Sequence, residues 1–286
     1  MSSQRLPPAI RAALWMSGAL LSFMAMAIAG RELSRELSTF QILFFRSFVG
    51  LAVVAVLVHR IGWIQLRTTA FRAHLLRNIT HFGGQYGWFY GIALIPLAEV
   101  FAIEFTVPIW TAVLATIVLG ERMTALRAIA VAIGFCGVLV ILRPGIAIVS
   151  PGALAVFAAA LGYATSHVLT KRLSRTDTPL AILFYMTAIQ LPLGLVPALP
   201  RWVWPSAALW PWVVVVAVTA LSAHYCLARA FRLADATVVV PMDFLRLPLI
   251  AVVGFFAYGE TLEVWVLVGA IIVFVGAWLN LKSAQR

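Results

Sequence analysis

Four charged residues interrupt long apolar stretches of this sequence: Arg46, Glu104, Asp243 and Arg246. Their formal charges sum to zero. In lipid a charge at the bilayer centre costs at least about 2.5–3.5 kcal/mol, so such groups face a cavity or a partner. One reading has the acids lining a pathway and attracting a cation, an ammonium group or a proton. The other has the four charges neutralising one another. Asp243 and Arg246 are three residues apart, on one helical face and close enough to pair. Glu104 finds no local partner along its own stretch.

A second set of polar groups is uncharged or titratable. Asn78, His81, Gln85 and Trp88 follow in steps of three and four, which places them on one face of a helix. A polar stripe in lipid turns towards protein. It lines a pathway or supplies hydrogen bonds between helices, and Gly83, Gly84, Tyr86 and Tyr90 accompany it. Tyr163, Ser166 and His167 sit in one later apolar stretch, and Ser222, His224 and Tyr225 in another. Trp15 and Ser22 share a face of the first stretch, where ordinary packing competes with closing a cavity. His81, His167, His224, Glu104 and Asp243 are also the residue types of a general base or a metal site. The sequence has no HExxH and no GxSxG, so an intramembrane enzyme is disfavoured and neither metal nor cofactor is expected.

The elements that carry these residues are set by composition. Of 286 residues, 63% are hydrophobic and 11% charged, and the mean hydropathy is +1.01. A soluble domain carries about 25% charged residues. A soluble enzyme, a disordered chain and a nucleic-acid module are excluded. The apolar runs are continuous rather than alternating, which excludes a transmembrane barrel. A spanning helix needs roughly 20 apolar residues. Ten spans are expected, over 11–30, 39–58, 75–95, 98–119, 126–143, 152–170, 180–198, 208–230, 236–257 and 263–281. The fold class is therefore all-α integral membrane. Arg5, Arg11 and Ala27-Ile28-Ala29 resemble a signal peptide, but the first run is long for one. Cys136 and Cys226 lie inside spans and suggest neither a disulfide nor a metal cluster.

Charge placement predicts orientation. With the N-terminus in the cytoplasm, Arg5, Arg11, Arg60, Arg67, Arg72, Arg77, Arg122, Arg127, Lys171, Arg172, Arg175, Arg229, Arg232, Lys282 and Arg286 fall inside, and only Arg31, Arg35, Arg143 and Arg201 outside. This bias puts both termini in the cytoplasm and accounts for the net charge of +11 without a polyanionic partner.

The chain also repeats itself. Leu33-Ser34-Arg35 recurs as Leu173-Ser174-Arg175, and Ile42-Leu43-Phe44 as Ile182-Leu183-Phe184, both at an offset of 140. Gly120-Glu121 recurs as Gly259-Glu260, and Phe135, Gly137 and Leu142 as Phe274, Gly276 and Leu281, at 139. Glu104 and Asp243 share that offset, as do Gln85 and His224. Five spans per unit is an odd number, so the second copy (150–286) crosses the membrane in the opposite sense to the first (1–145). Such inverted repeats build secondary transporters, with the site near mid-membrane between the halves.

Val107-Pro108-Ile109-Trp110-Thr111-Ala112-Val113-Leu114, continuing to Leu119-Gly120-Glu121-Arg122, is answered by Leu247-Pro248-Leu249-Ile250-Ala251 and then Gly259-Glu260-Thr261. This duplicated signature resembles the EamA-type family of the drug/metabolite transporter superfamily, over nearly the whole chain. Arg46 matches an arginine typical of that family's second helix. Tyr258 and Thr261 depart from its more usual Leu and Arg. The resemblance implies ten helices in two inverted five-helix repeats and export of amino acids or other small metabolites, with the YddG-type amino-acid exporters as the preferred subgroup.

The expectation is an inner-membrane secondary transporter, monomer or homodimer, working on a small-molecule substrate by alternating access. No Walker A sequence is present to supply ATP drive. A passive channel remains the alternative. The expected substrate-binding residues are His81, Gln85, Trp88, Tyr90, Glu104, Tyr163, His167, His224, Asp243 and Arg246. Pro108 and Pro248 lie within spans, where each acts as a static kink or a gating hinge. Trp63, Trp202, Trp204 and Trp278 near span ends read as interface anchors.

Overall fold

Ser38 and Thr178, 140 residues apart, begin the second helix of each half in the same way. Each side chain accepts a hydrogen bond from the backbone N–H three residues on, of Gln41 and Ala181. Side-chain oxygens satisfy the otherwise orphaned amides of a first helical turn. The computed structural model describes residues 8–119, 123–143, 150–173, 176–231, 233, 245–261 and 263–283. Gly120, Glu121, Ser174, Arg175 and Asp243 lie outside the described residues.

Eleven α-helices are described: α1 (Pro8–Leu33), α2 (Thr39–Ile61), α3 (Phe71–Leu94), α4 (Leu97–Glu104), α5 (Val107–Leu119), α6 (Ala125–Leu142), α7 (Pro151–Leu173), α8 (Pro179–Ala198), α9 (Trp210–Phe231), α10 (Arg246–Tyr258) and α11 (Val264–Ser283). They account for the ten expected spans, the ninth only in part by α10. The fourth span is divided into α4 and α5 by Phe105 and Thr106. Pro108 lies at the second position of α5 and Pro248 at the third of α10, in first turns that lack intrahelical N–H acceptors anyway. Neither proline kinks the middle of a described helix.

Six apolar segments are long enough to cross a membrane, and three shorter apolar helices accompany them. The helix α3 is in neither group, because its polar stripe lowers its hydropathy. It is nevertheless a central helix, with twelve buried residues. The outward surface is apolar: Phe256, Ile117 and Trp204 are 80%, 73% and 70% exposed. This is the surface that a multi-pass protein offers to lipid.

The extensive interfaces all join the first half of the chain to the second: α1 with α9, α3 with α7, α2 with α8, and α6 with α11, while α4 meets α10. Exchanging the halves converts the first of these pairs into the second and leaves the other three unchanged. Small residues permit the approach of α3 and α7. A Cβ on Gly162 would lie 2.8 Å from the Thr80 carbonyl oxygen, so only glycine fits there.

The Gly-Glu part of the signature is visible in its second copy. Gly259 ends α10 in the left-handed conformation (φ 64°), which glycine adopts without strain. The chain then turns Glu260 back onto α4, where its Oε2 accepts from the Leu97 N–H at 2.9 Å. Its Oε1 pairs with Arg31 at 2.8 Å, and Arg31 also donates to the Ile95 carbonyl. One carboxylate thus caps α4, whose N-terminus carries partial positive charge, and ties it to α1. On the same face Tyr258 donates to Glu32, and Arg143 pairs with Glu263.

Candidate functional site

The stripe on α3 is buried along its length: Asn78, His81, Gln85 and Trp88 are 0–4% exposed. At a rise of about 1.5 Å per residue, His81 lies about 15 Å from one end of α3 and about 20 Å from the other. Its Nδ1 accepts from two amide nitrogens, Gln190 on α8 at 2.9 Å and Gln85 at 3.1 Å. With Nδ1 accepting, the ring proton sits on Nε2. Tyr163 of α7 and His224 of α9 stand with ring centroids 5.6 Å and 6.4 Å from His81. Side chains from four helices of both halves therefore converge on one imidazole. Arg46, Arg77 and His167 lie within electrostatic reach of the same point. His167 is exposed although it belongs to a span.

A second polar group lies beside this one. Trp88 donates its indole N–H to Glu104 Oε2 at 2.7 Å, and Arg246 NH1 approaches Glu104 Oε1 at 3.7 Å. The Arg246 guanidinium carbon lies 4.6 Å from the Phe23 ring centre, 5.3 Å from that of Phe101 and 5.4 Å from that of Phe105. Favourable contact with aromatic faces supports a buried guanidinium. Glu104, without a local partner in the sequence, acquires one from the distant α10. Tyr163 is within electrostatic reach of Glu104, Arg46 and Arg246, and so joins the two groups.

Not every expected residue gathers here. Tyr90 stacks with Tyr86 at 6.0 Å, and Tyr86 meets Phe40 at 4.6 Å, forming an aromatic column with no described contact to His81. Trp15 packs edge-on against Tyr225 and beneath Arg229, as in ordinary helix packing. Ser22 bonds Ser222 at 2.8 Å, joining α1 to α9. Asp243 lies outside the described residues.

Gln190 and Arg77 were not anticipated. Gln190 is the sole carboxamide of its span, 1% exposed, but its 140-residue counterpart is Gly50, so the repeat gives no signal for it. Arg77 reads from sequence as a flanking cation. The structure buries it to 7% exposure and gives it Thr170 Oγ1 at 3.1 Å and Asn78 Oδ1 at 2.6 Å as acceptors.

An all-α, multi-pass chain with a buried polar site mid-span, built from both halves, has the arrangement of a secondary transporter. The model of the EamA-like transporter family matches residues 10–143 and again 150–282, and the chain belongs to that family, within the drug/metabolite transporter superfamily. It is a membrane transporter, not an enzyme. It is 26% identical over 272 residues to the S-adenosylmethionine uptake transporter of Rickettsia prowazekii, covering 95% of this chain and 92% of that one. It is 27% identical over 287 residues to the riboflavin transporter of Vibrio cholerae, covering 97% and 96%. It is 25% identical to the pseudopaline exporter of Pseudomonas aeruginosa, covering 92% and 95%. A crystal structure with 19% identity aligns over 96% of this chain and 98% of its own with a TM-score of 0.64, a likeness of fold.

Proposed function

We propose that this chain carries small metabolites with an amino-acid head and an apolar or aromatic body across a bacterial-type inner membrane. Two inverted halves, 1–145 and 150–286, rock about the central site, with both termini in the cytoplasm. The observation that carries this reading is His81, held mid-span by Gln190 across the interface of the halves. Inverted-repeat transporters bind solute at that position. His81, Gln85 and His224 are proposed to bond the polar end of the solute, Tyr163 and Trp88 to border its body, and Pro108 and Pro248 to flank the moving half-helices. Free aromatic amino acids and S-adenosylmethionine both have this chemistry, and relatives named for the latter support including it. Alternating access is reversible, so gradients set its direction. Export is proposed, because a cell that synthesises such metabolites holds them at higher concentration inside.

A second reading is a solute with rings and hydroxyls but no amino-acid head, favoured by the relative named for riboflavin. Purified protein in proteoliposomes, offered labelled tryptophan, S-adenosylmethionine and riboflavin in parallel, separates the two. Saturable flux of either of the first two supports the main reading, and flux of riboflavin alone replaces it. For orientation, a chain with Cys136 and Cys226 replaced should label from outside with Arg35→Cys and not with Arg175→Cys.

A further inference from the structure

Arg46 is a buried cation of the central region. It is 6% exposed, seven residues into α2. Arg31 has Glu260, Arg246 has Glu104, and Arg77 has Thr170 and Asn78. Arg46 makes no ion pair among the described residues, and its Nε has no acceptor there. Its side chain lines a cleft between α2, α8 and α9, shared with Ser47, Thr187 and Gln190. The cleft is narrow, with room for about one water-sized sphere, about 10 Å³. Gln190 is also the residue that holds His81, so the cleft adjoins the central site.

The charge balance points the same way. Arg46, Arg77, Arg246 and Glu104 all lie within electrostatic reach of His81 or Tyr163. With Asp243 counted, which the sequence places three residues before Arg246, the three arginines outnumber the two acids by one positive charge. A guanidinium away from water needs acceptors, and a carboxylate matches both its charge and its fork, with two parallel hydrogen bonds. Gln190 supplies an amide donor beside it and Ser47 a hydroxyl, while the Thr187 hydroxyl donates to carbonyls of its own helix.

We propose that Arg46 is the anion-binding element of the transport site and receives the carboxylate of the carried solute. This rests on the transporter reading above and adds the solute's charge requirement. Gly50 brings α2 close to α8 at the cleft, where a Cβ would lie 3.1 Å from Thr187 Cγ2, so an anion is received as these helices part during transport.

The test compares each amino-acid-headed probe with its decarboxylated form, tryptophan with tryptamine and S-adenosylmethionine with its decarboxylated analogue, as competitors of flux in proteoliposomes. The wild-type protein should prefer the carboxylated member at least tenfold. Arg46→Gln should raise its KM at least tenfold and level the preference, and Arg46→Lys should restore part of it. Because Arg46→Gln risks misfolding, its thermal unfolding is measured alongside, and the wild-type competition stands as a test in its own right. Equal competition by both members in the wild type, or an intact preference in folded Arg46→Gln, overturns the assignment while leaving transport in place. Absence of flux and of competition by every amino-acid-headed probe overturns the solute class itself, and this assignment with it.

Discussion

Gln190 and His81 meet at 2.9 Å although 109 residues separate them. Gln190 comes from the second half of the chain and His81 from the first, and the bond fixes the imidazole with Nδ1 as acceptor. Gln190→Leu should leave the fold standing, because Gln85 still reaches Nδ1. It should lower Vmax/KM about tenfold, equivalent to about 1.4 kcal/mol of lost binding. Proteoliposome kinetics with a thermal-unfolding control check this. Unchanged kinetics would remove the pair from the site.

The Glu104–Arg246 pair links the fourth span to the ninth. Removing one partner of a buried pair typically costs about 3–5 kcal/mol. At 3.7 Å and with the Glu104 side chain 17% exposed, the low end of that range is expected here. Glu104→Gln and Arg246→Gln should each lower Tm, and the double variant should regain part of the loss through a coupling of about 1–3 kcal/mol. Additive losses in the double-mutant cycle would show that the two side chains act independently.

Gly259 and Glu260 explain part of the repeated signature by geometry. Gly259→Ala should cost about 1 kcal/mol, because a side chain disfavours the left-handed conformation. Glu260→Gln keeps the shape but withdraws charge from Arg31 and from the start of α4, and should cost about 1–2 kcal/mol. Thermal unfolding in detergent measures both. A neutral Glu260→Gln would mean that the cap needs no charge.

Asp177 lies in the loop between α7 and α8, 7% exposed, with His74 Nε2 2.6 Å from its Oδ2 and Thr176 2.8 Å from its Oδ1. Burial pushes its carboxyl up, but hydrogen bonds from Thr68, His74 and Thr176 outweigh burial and hold it below the ordinary carboxylate range. A carboxyl lowered by folding stabilises the fold above its unfolded value, near pH ~3.9, and loses that contribution as pH falls through the folded value. The Tm difference between wild type and Asp177→Asn should be constant above about pH 5 and shrink below about pH 4. A difference that does not change with pH would contradict this.

Much of the architecture was legible before any coordinates. Apolar run lengths placed the spans, and the constant offset identified the two repeats. The polar stripe of α3 was legible because a period of three and four needs no tertiary information. The rest depended on distance in three dimensions. No periodicity links Glu104 to Arg246 or Gln190 to His81, and the burial of Arg77 is invisible in a sequence where terminal arginines normally flank spans. The division between α4 and α5 was half legible, since Pro108 marks the place but not the two-residue break ahead of it. Tyr90 shows the converse. Its residue type suggested the site, but the 100° step between helical neighbours turns it onto Tyr86.

The central claim is alternating access through a site shared by both halves, and counterflow tests it most directly. Proteoliposomes preloaded with unlabelled tryptophan or S-adenosylmethionine are diluted into the same solute, labelled, at low concentration. The account predicts a transient accumulation of label above the external level, saturable with concentration and strongly reduced in Gln190→Leu. Label that only equilibrates, at a rate linear in concentration and indifferent to preloading, would identify a passive channel and contradict the account.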